Sequence, residues 1–210
     1  MSPRAPLSRQ AIAEAALEVG DRDGPAAMTM RRIAGELGCD PMALYRHFPD
    51  REALLDAVAD LALAGVPLPA PDRPWDARLT DLLTAVRAAA LGHPGIAAHL
   101  AGRPPLGTHA RPVLLAIGGA LADAGQSPAD VVRTTQALIA YLSAAIAMSV
   151  RAGAPDARWH QVRAVIAELP GAAPDDALPV TGSDDQFRYG LGLLVSGIRA
   201  VAGNPRGDRR

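Results

Sequence analysis

This 210-residue chain contains no lysine: its 21 basic residues are all arginine, and they face 22 acidic ones for a net charge of -1. That balance gives no bulk attraction for a polyanion, so nucleic-acid contacts must come from where arginines are placed rather than from their number. The arginine bias itself is what a skewed genomic base composition produces and implies no mechanism. Cysteine is nearly as scarce. Cys39 alone excludes an internal disulfide, fits a reducing cytoplasm and leaves no resolving thiol for redox sensing. No run of about 18 apolar residues occurs, and the opening Met-Ser-Pro-Arg has no apolar signal core. A soluble, unexported, cytoplasmic protein with no membrane partner is expected. Alternating β-branched runs are missing, which excludes recognisable strands. Gly-x-Ser-x-Gly, a phosphate-binding glycine loop, His-Glu-x-x-His and paired carboxylates are also missing, so no catalytic residues and no enzyme are expected.

What is present is concentrated in residues 29 to 51. Thr29 can N-cap a short helix in which Met30, Ile33, Ala34 and Leu37 recur at i, i+3, i+4 and i+7, forming one apolar stripe. Gly38 can end that helix in the left-handed conformation at no steric cost. Asp40 then caps a second helix with Pro41 at its first position, where proline is tolerated. Leu44 and Phe48 face the first helix, leaving Pro41, Met42, Ala43, Tyr45, Arg46 and His47 outside. Pro49 closes this helix and Asp50 caps the next. Two short helices around a glycine turn, with the small Ala34 at their crossing, make a helix-turn-helix.

Elsewhere the apolar periodicity predicts helices throughout. Ser8 can cap a first helix running to about Gly20, with Ile12, Ala16 and Val19 on one face, and Asp21 to Pro25 form a turn. The helix after Asp50 continues to Gly65, where prolines 67, 69, 71 and 74 forbid its extension. Further helices are expected at about 75 to 91, 95 to 101, 108 to 124, 127 to 152 and 185 to 202, with a shorter piece at 158 to 168. Residues 169 to 184 read as a mobile loop and 203 to 210 as a disordered tail. The fold class is therefore all-α: an N-terminal three-helix helix-turn-helix domain at 1–65 and a larger helical domain at 66–210. Arg4, Arg9, Arg31, Arg32, Arg46, His47 and Arg51 surround the second helix of the motif. Most acids of residues 1 to 65 fall on the first and fourth helices, which can face away from DNA.

A helix in the major groove reads bases through its exposed side chains, mostly near its N-terminus. Here these are Pro41, Met42, Ala43 and Arg46. Met42 and Ala43 offer apolar contact, as with a thymine methyl, and Arg46 could bond guanine or a phosphate. The sequence Leu44-Tyr45-Arg46-His47-Phe48, with Arg51 and Glu52-Ala53-Leu54-Leu55-Asp56, resembles the tetracycline-repressor (TetR) family of transcriptional regulators. That resemblance implies Arg31 as a second base reader and Thr29, Tyr45, His47 and Arg51 as phosphate holders. For Tyr45, packing between helices is the structural alternative. One such module buries little surface and binds weakly alone, so a homodimer on a palindromic double-stranded operator is expected.

The candidate dimer surface lies on helices 127–152 and 185–202, through Val131, Leu138, Leu142, Ala145 and Met148 on one and Phe187, Leu191, Leu194, Val195 and Ile198 on the other. The phrase Phe187-Arg188-Tyr189-Gly190-Leu191 resembles the final helix of the family's C-terminal domains. In the family these helices form an intersubunit four-helix bundle; the alternative is that both stripes fill the monomer core. Residues His99 to Pro104 are similar to a stretch where tetracycline repressors place a histidine on drug-bound magnesium. The rest of that site does not carry over: Leu82, Val86, Pro67 and Met148 stand where those proteins have asparagine, phenylalanine, histidine and a metal-binding glutamate. A hydrophobic effector is expected instead, in a pocket lined by Leu79, Leu82, Leu83, Val86, Leu114, Ile117, Leu138, Tyr141, Ala145 and Met148, with His99 a candidate polar group. For His93 and His99 a surface or satisfied helix-end role is the alternative. No partner at ligand spacing on the same helix points to a metal, and no cofactor is implied. Aspartates 175, 176, 184 and 185 are expected to solvate the loop and cap the last helix. A helical adaptor or small-molecule binder, an enzyme of unfamiliar type, and a regulator that activates rather than represses are the alternatives.

Overall fold

The computed structural model describes residues 7–151, 157–168 and 180–202. Arg4, most of the expected loop with Asp175 and Asp176, and the 203–210 tail lie outside these residues. Among the described residues ten α-helices follow one another: α1 (Arg9–Asp23), α2 (Met30–Leu37), α3 (Pro41–Tyr45), α4 (Arg51–Leu61), α5 (Trp75–Gly92), α6 (Pro94–Gly102), α7 (Ala110–Asp123), α8 (Pro128–Arg151), α9 (Ala157–Ala167) and α10 (Asp184–Ala202). A 3-10 turn at Pro25–Ala27 links α1 to α2. No strand occurs among the described residues.

Local chemistry sets most of the boundaries. Ser8, Thr29, Asp40 and Asp50 each accept a backbone N–H at the start of α1, α2, α3 and α4, satisfying donors that have no partner within the helix. Gly38 ends α2 in the left-handed conformation, at φ 56° and ψ 44°. Two boundaries differ from expectation. α1 does not stop at Gly20 but runs on to Asp23 and ends at Gly24, which has φ 86°. Gly20 is a packing position instead: a Cβ there would overlap the Met28 side chain, and the Gly20 backbone lies directly against Gly95 of α6. α3 ends at Tyr45 rather than reaching Pro49, because His47 and Phe48 turn back to bond Leu44 O.

Ile12, Ala16 and Val19 of α1, Ile33 and Ala34 of α2, Leu44, Phe48, and Leu54 and Val58 of α4 are fully buried and form the core beneath the motif. That core is not closed on itself. α6 packs against both α1 and α4 on one side and against α8 on the other, so one apolar cluster runs through the molecule.

The long helices α8 and α10 require a correction. Leu138, Leu142, Phe187, Leu191, Val195 and Ile198, expected on the dimer face, are buried within the single chain. Large apolar side chains repeating at i, i+4 and i+8 go to the side that the rest of the chain can cover. A second, smaller-residue stripe remains outside: Val132, Ala137, Ala140, Ala144 and Met148 on α8, and Tyr189, Gly192, Leu193, Gly197 and Ala200 on α10. α8 is long and apolar enough to cross a membrane by length and composition, yet only 17% of its most apolar 18-residue stretch is buried. The uncovered apolar face accounts for that low share.

Candidate nucleic-acid interface

α3 is held from below and from its end. Leu44 and Phe48 anchor it in the core, and Arg9 of α1 donates to His47 O while its guanidinium carbon lies 4.2 Å from the Phe48 ring centroid. A cation at the end of the turn suits the carbonyls left unpaired there. Arg51 is tied to the other side of the motif: its Nε donates to Met28 O at 2.7 Å and its Nη2 to Pro25 O at 3.3 Å, fixing the 3-10 turn ahead of α2.

The arginines around the motif divide sharply. Arg32 pairs with Asp23 at 2.9 Å, and Arg22 reaches Glu36 at 3.0 Å, forming one four-residue ion cluster. Hydrogen bonding to Arg22 and then to Arg32 holds the Asp23 carboxyl below its ordinary range. Arg31 and Arg46, by contrast, are exposed and make no side-chain hydrogen bond, ion pair or ring contact among the described residues. Beside them Met42 is 66% and Tyr45 44% exposed. Tyr45 is thus at the surface rather than packed between helices. Pro41, Ala43 and His47 are half-buried, and Thr29 is exposed with its Oγ1 accepting Arg32 N at 3.2 Å. One surface therefore carries two uncommitted guanidinium groups, a thioether, a phenol and a hydroxyl over a short rigid helix.

Behind this surface, three carboxylates of α1 and α4 grip the rest of the molecule, a feature the sequence reading missed. Asp21 accepts from Gly95 N at 3.4 Å and lies 2.7 Å from His93 Nδ1. Asp56 lies 3.0 Å from His99 Nε2 and 2.8 Å from Arg103 Nε. Asp60, only 9% exposed, accepts from His109 N at 3.1 and 3.2 Å and from Ala110 N at 2.9 Å, thereby capping α7 from another helix. All three make contacts within the protein, and Asp60 is buried. The only sequence signal was acids at i and i+4 on α4 opposite two histidines, which is too common to select.

The helix-turn-helix surface has close relatives. The family model for bacterial regulatory proteins of the tetR family matches residues 12–58, and that for the tetracyclin repressor-like C-terminal domain matches residues 68–202. The chain belongs to the tetR family of bacterial regulatory proteins. It is a helix-turn-helix transcriptional regulator, 32% identical over 206 residues to an HTH-type transcriptional regulator of Saccharopolyspora erythraea, covering 94% of this chain and 86% of that one. Among solved structures, the Streptomyces coelicolor TetR family protein ActR in complex with (S)-DNPA superposes with a TM-score of 0.80 at 27% identity, covering 95% of this chain and all of that one. BioQ with its double-stranded DNA operator gives 0.67 at 28% identity, covering 93% and 99%.

The pocket expected of such a regulator is not one cavity. Val86, Leu114 and Ile117 line an apolar hollow of about 80 Å³ among α5 to α8, together with Leu63, Leu100, Pro104, Leu142 and Ile146. Tyr141, Ala145 and Met148 line a different hollow of about 310 Å³ between α8 and α10. Leu79, Leu82, Leu83 and Leu138 line neither and are buried core residues. Periodicity places residues on an inward face but does not separate those that touch a void from those that touch each other. His99 points to Asp56, in the satisfied role given as its alternative. Asp184 is also reassigned: it pairs with Arg87 at 2.6 Å, and Ser183 accepts Gln186 N in the first turn of α10.

Proposed function

We propose that this tetR-family regulator is a cytoplasmic homodimeric repressor that binds a palindromic operator and is released by a hydrophobic effector. The observation that carries the reading is the pair of uncommitted arginines, Arg31 and Arg46, beside the exposed Met42 and Tyr45 on a helix too short and too well anchored to serve as a flexible surface. In this reading Arg31 and Arg46 reach base edges or phosphates, and Pro41, Met42 and Ala43 make apolar contact in the major groove. Thr29, Tyr45, His47 and Arg51 hold phosphates and set the register. Arg51 does so while part of its guanidinium stays on the Met28 and Pro25 carbonyls.

The uncovered stripe on α8 and α10 supports pairing with a second copy. Its alanines and glycines permit close helix approach, and its apolar character fits an obligate interface. A symmetric dimer places two α3 helices on half-sites about 34–36 Å apart, or a multiple of that. Release follows from the α5–α8 hollow. At about 80 Å³ it is far below the size of common ligand sites, about 300–1,000 Å³, so an effector must widen it by moving α6 and the segment at Pro104. Asp56 and Asp60 join both to α4, so widening shifts the reading helices relative to each other.

Selection from a random duplex library with purified protein at low salt tests this reading. Enrichment of an inverted repeat, lost on adding an effector drawn from a panel of apolar metabolites, is the expected result. Recovery of no common sequence at any salt concentration contradicts it.

A further inference from the structure

The α8–α10 hollow has a feature that neither DNA binding nor pairing uses. Arg87 of α5 lies on its wall and is only 6% exposed. Its Nη1 donates to Asp184 at 2.6 Å and its Nη2 to Ser149 Oγ at 2.9 Å and Gly182 O at 2.8 Å. Its Nε is buried with no hydrogen-bond partner among the described residues, and its guanidinium carbon lies 4.9 Å from the Phe187 ring centroid. The other walls include Tyr141, Ala145, Met148, Phe187 and Tyr189. Tyr141 keeps its proton, since burial pushes its pKa up and its hydroxyl donates to Phe187 O at 2.7 Å. Ser183 and Gln186 also line it, each tied to backbone: Ser183 Oγ accepts Gln186 N and Gln186 Oε1 accepts Gly182 N, so the hollow is largely aromatic and apolar with one cation.

Pinning the Gly182 turn to α5 explains two of the bonds made by Arg87 but not its incomplete satisfaction. Arg78 of the same helix also has a buried Nε without a partner among the described residues, beside Asp123, so what sets Arg87 apart is the hollow that opens at its guanidinium. Among the described residues its one carboxylate partner, Asp184, has a side chain 66% exposed and a second cation, Arg188, at 3.6 Å. Asp184 can therefore swing out to solvent and Arg188 without leaving its charge unpaired. An incoming anion gains a desolvated guanidinium, which favours planar carboxylate geometry.

We propose that the Arg87 hollow is a second small-molecule site, distinct from the α5–α8 hollow, which takes an aromatic carboxylate: flat rings against Phe187, Tyr141 and Met148, and the carboxylate on Arg87 in place of Asp184. The volume of about 310 Å³ suits a ligand of two or three rings. Ala144, Met148 and Tyr189 of its lining also belong to the uncovered stripe, so in the proposed dimer the second copy lies next to the site.

The test uses 2-naphthoate and its neutral isostere 2-naphthamide as probes, titrated into the full chain without DNA, followed by calorimetry and by the 13C-methyl resonance of Met148, assigned with Met148→Leu. Naphthoate should bind at least about tenfold more tightly than naphthamide, the ratio expected of one charge-assisted hydrogen bond, and should shift the Met148 methyl. Asp184→Asn removes the internal competitor and should raise naphthoate affinity several-fold while leaving naphthamide unchanged. Arg87→Met should abolish the preference. Equal binding of the two probes, an unmoved Met148 methyl, or an Asp184→Asn protein with unaltered naphthoate affinity overturns the proposal, even if Arg87→Met does not fold. Because no DNA is present, failure here leaves the operator reading untouched.

Discussion

Asp60→Ala should loosen the join between the reading helices and the rest of the regulator, by an amount that can be worked from the geometry. The carboxylate accepts the N–H groups of His109 and Ala110 at 2.9 to 3.2 Å, at the start of α7. Hydrogen bonds to a charged acceptor contribute about 1.5–3 kcal/mol each, and loss of a helix cap costs about 0.5–2 kcal/mol. The two ranges describe the same bonds and do not add. Asp60 also borders an open groove of about 860 Å³ between α4 and the segment 103–109, so water can reach the abandoned donors and soften the loss. The expected net cost is about 2–4 kcal/mol. At about 2–4 °C per kcal/mol for a chain of this size, Tm falls by roughly 5–15 °C. Asp60→Asn keeps the shape and one accepting oxygen and should cost less, about 1–2 kcal/mol. Urea denaturation followed by circular dichroism, with all variants at one protein concentration because a dimer's stability depends on it, measures the difference. A loss under about 0.5 kcal/mol for Asp60→Ala, the scatter of ordinary surface substitutions, would refute the reasoning.

Arg31→Ala and Arg46→Ala should leave stability within about 0.5 kcal/mol of the wild type, since neither side chain has a partner among the described residues, while weakening operator binding. For each, a changed base preference on repeated selection marks a base reader, and a uniform loss with a shallower salt slope marks a phosphate contact. Leu193→Arg places a charge on the uncovered stripe, where Leu193 is 59% exposed, and should convert a species of twice the 21.7 kDa chain mass into one of 21.7 kDa by sedimentation equilibrium. Asp184 supplies a pH signature: its hydrogen bond from Arg87 holds its carboxyl below the ordinary value of about 3.9, so the stability it contributes is complete above that value and disappears as pH falls through the lower folded one. The stability gap between the wild type and Asp184→Asn should accordingly be flat near neutral pH and close on acidification below about pH 4; a gap that widens there has the wrong sign.

The parts of this molecule that were legible in its sequence are those decided within a few residues. Thr29, Asp40 and Asp50 cap the helices they were expected to cap, and Gly38 takes the left-handed turn, because cap and turn chemistry is local. What was not legible depends on which neighbour arrives. α8 carries two apolar stripes, and only the packed chain shows that Leu138 and Leu142 turn inward while Ala140 and Ala144 stay outside. Asp21, Asp56 and Asp60 look like solvated acids until α6 and the start of α7 come against them. Gly20 looks like a helix stop until Gly95 packs over it. Arg87, in the middle of an apolar helix, has no sequence signature separating a core cation from a surface one.

The central claim is that the α2–α3 surface reads sequence, and the affinity ratio between specific and scrambled DNA tests it most directly. Fluorescence anisotropy at physiological salt should show a duplex bearing the selected inverted repeat binding at least about 10³-fold more tightly than one with the same composition in scrambled order, at two chains per duplex. Equal affinity for both duplexes would contradict the account, because non-specific phosphate contacts alone would then explain all the binding.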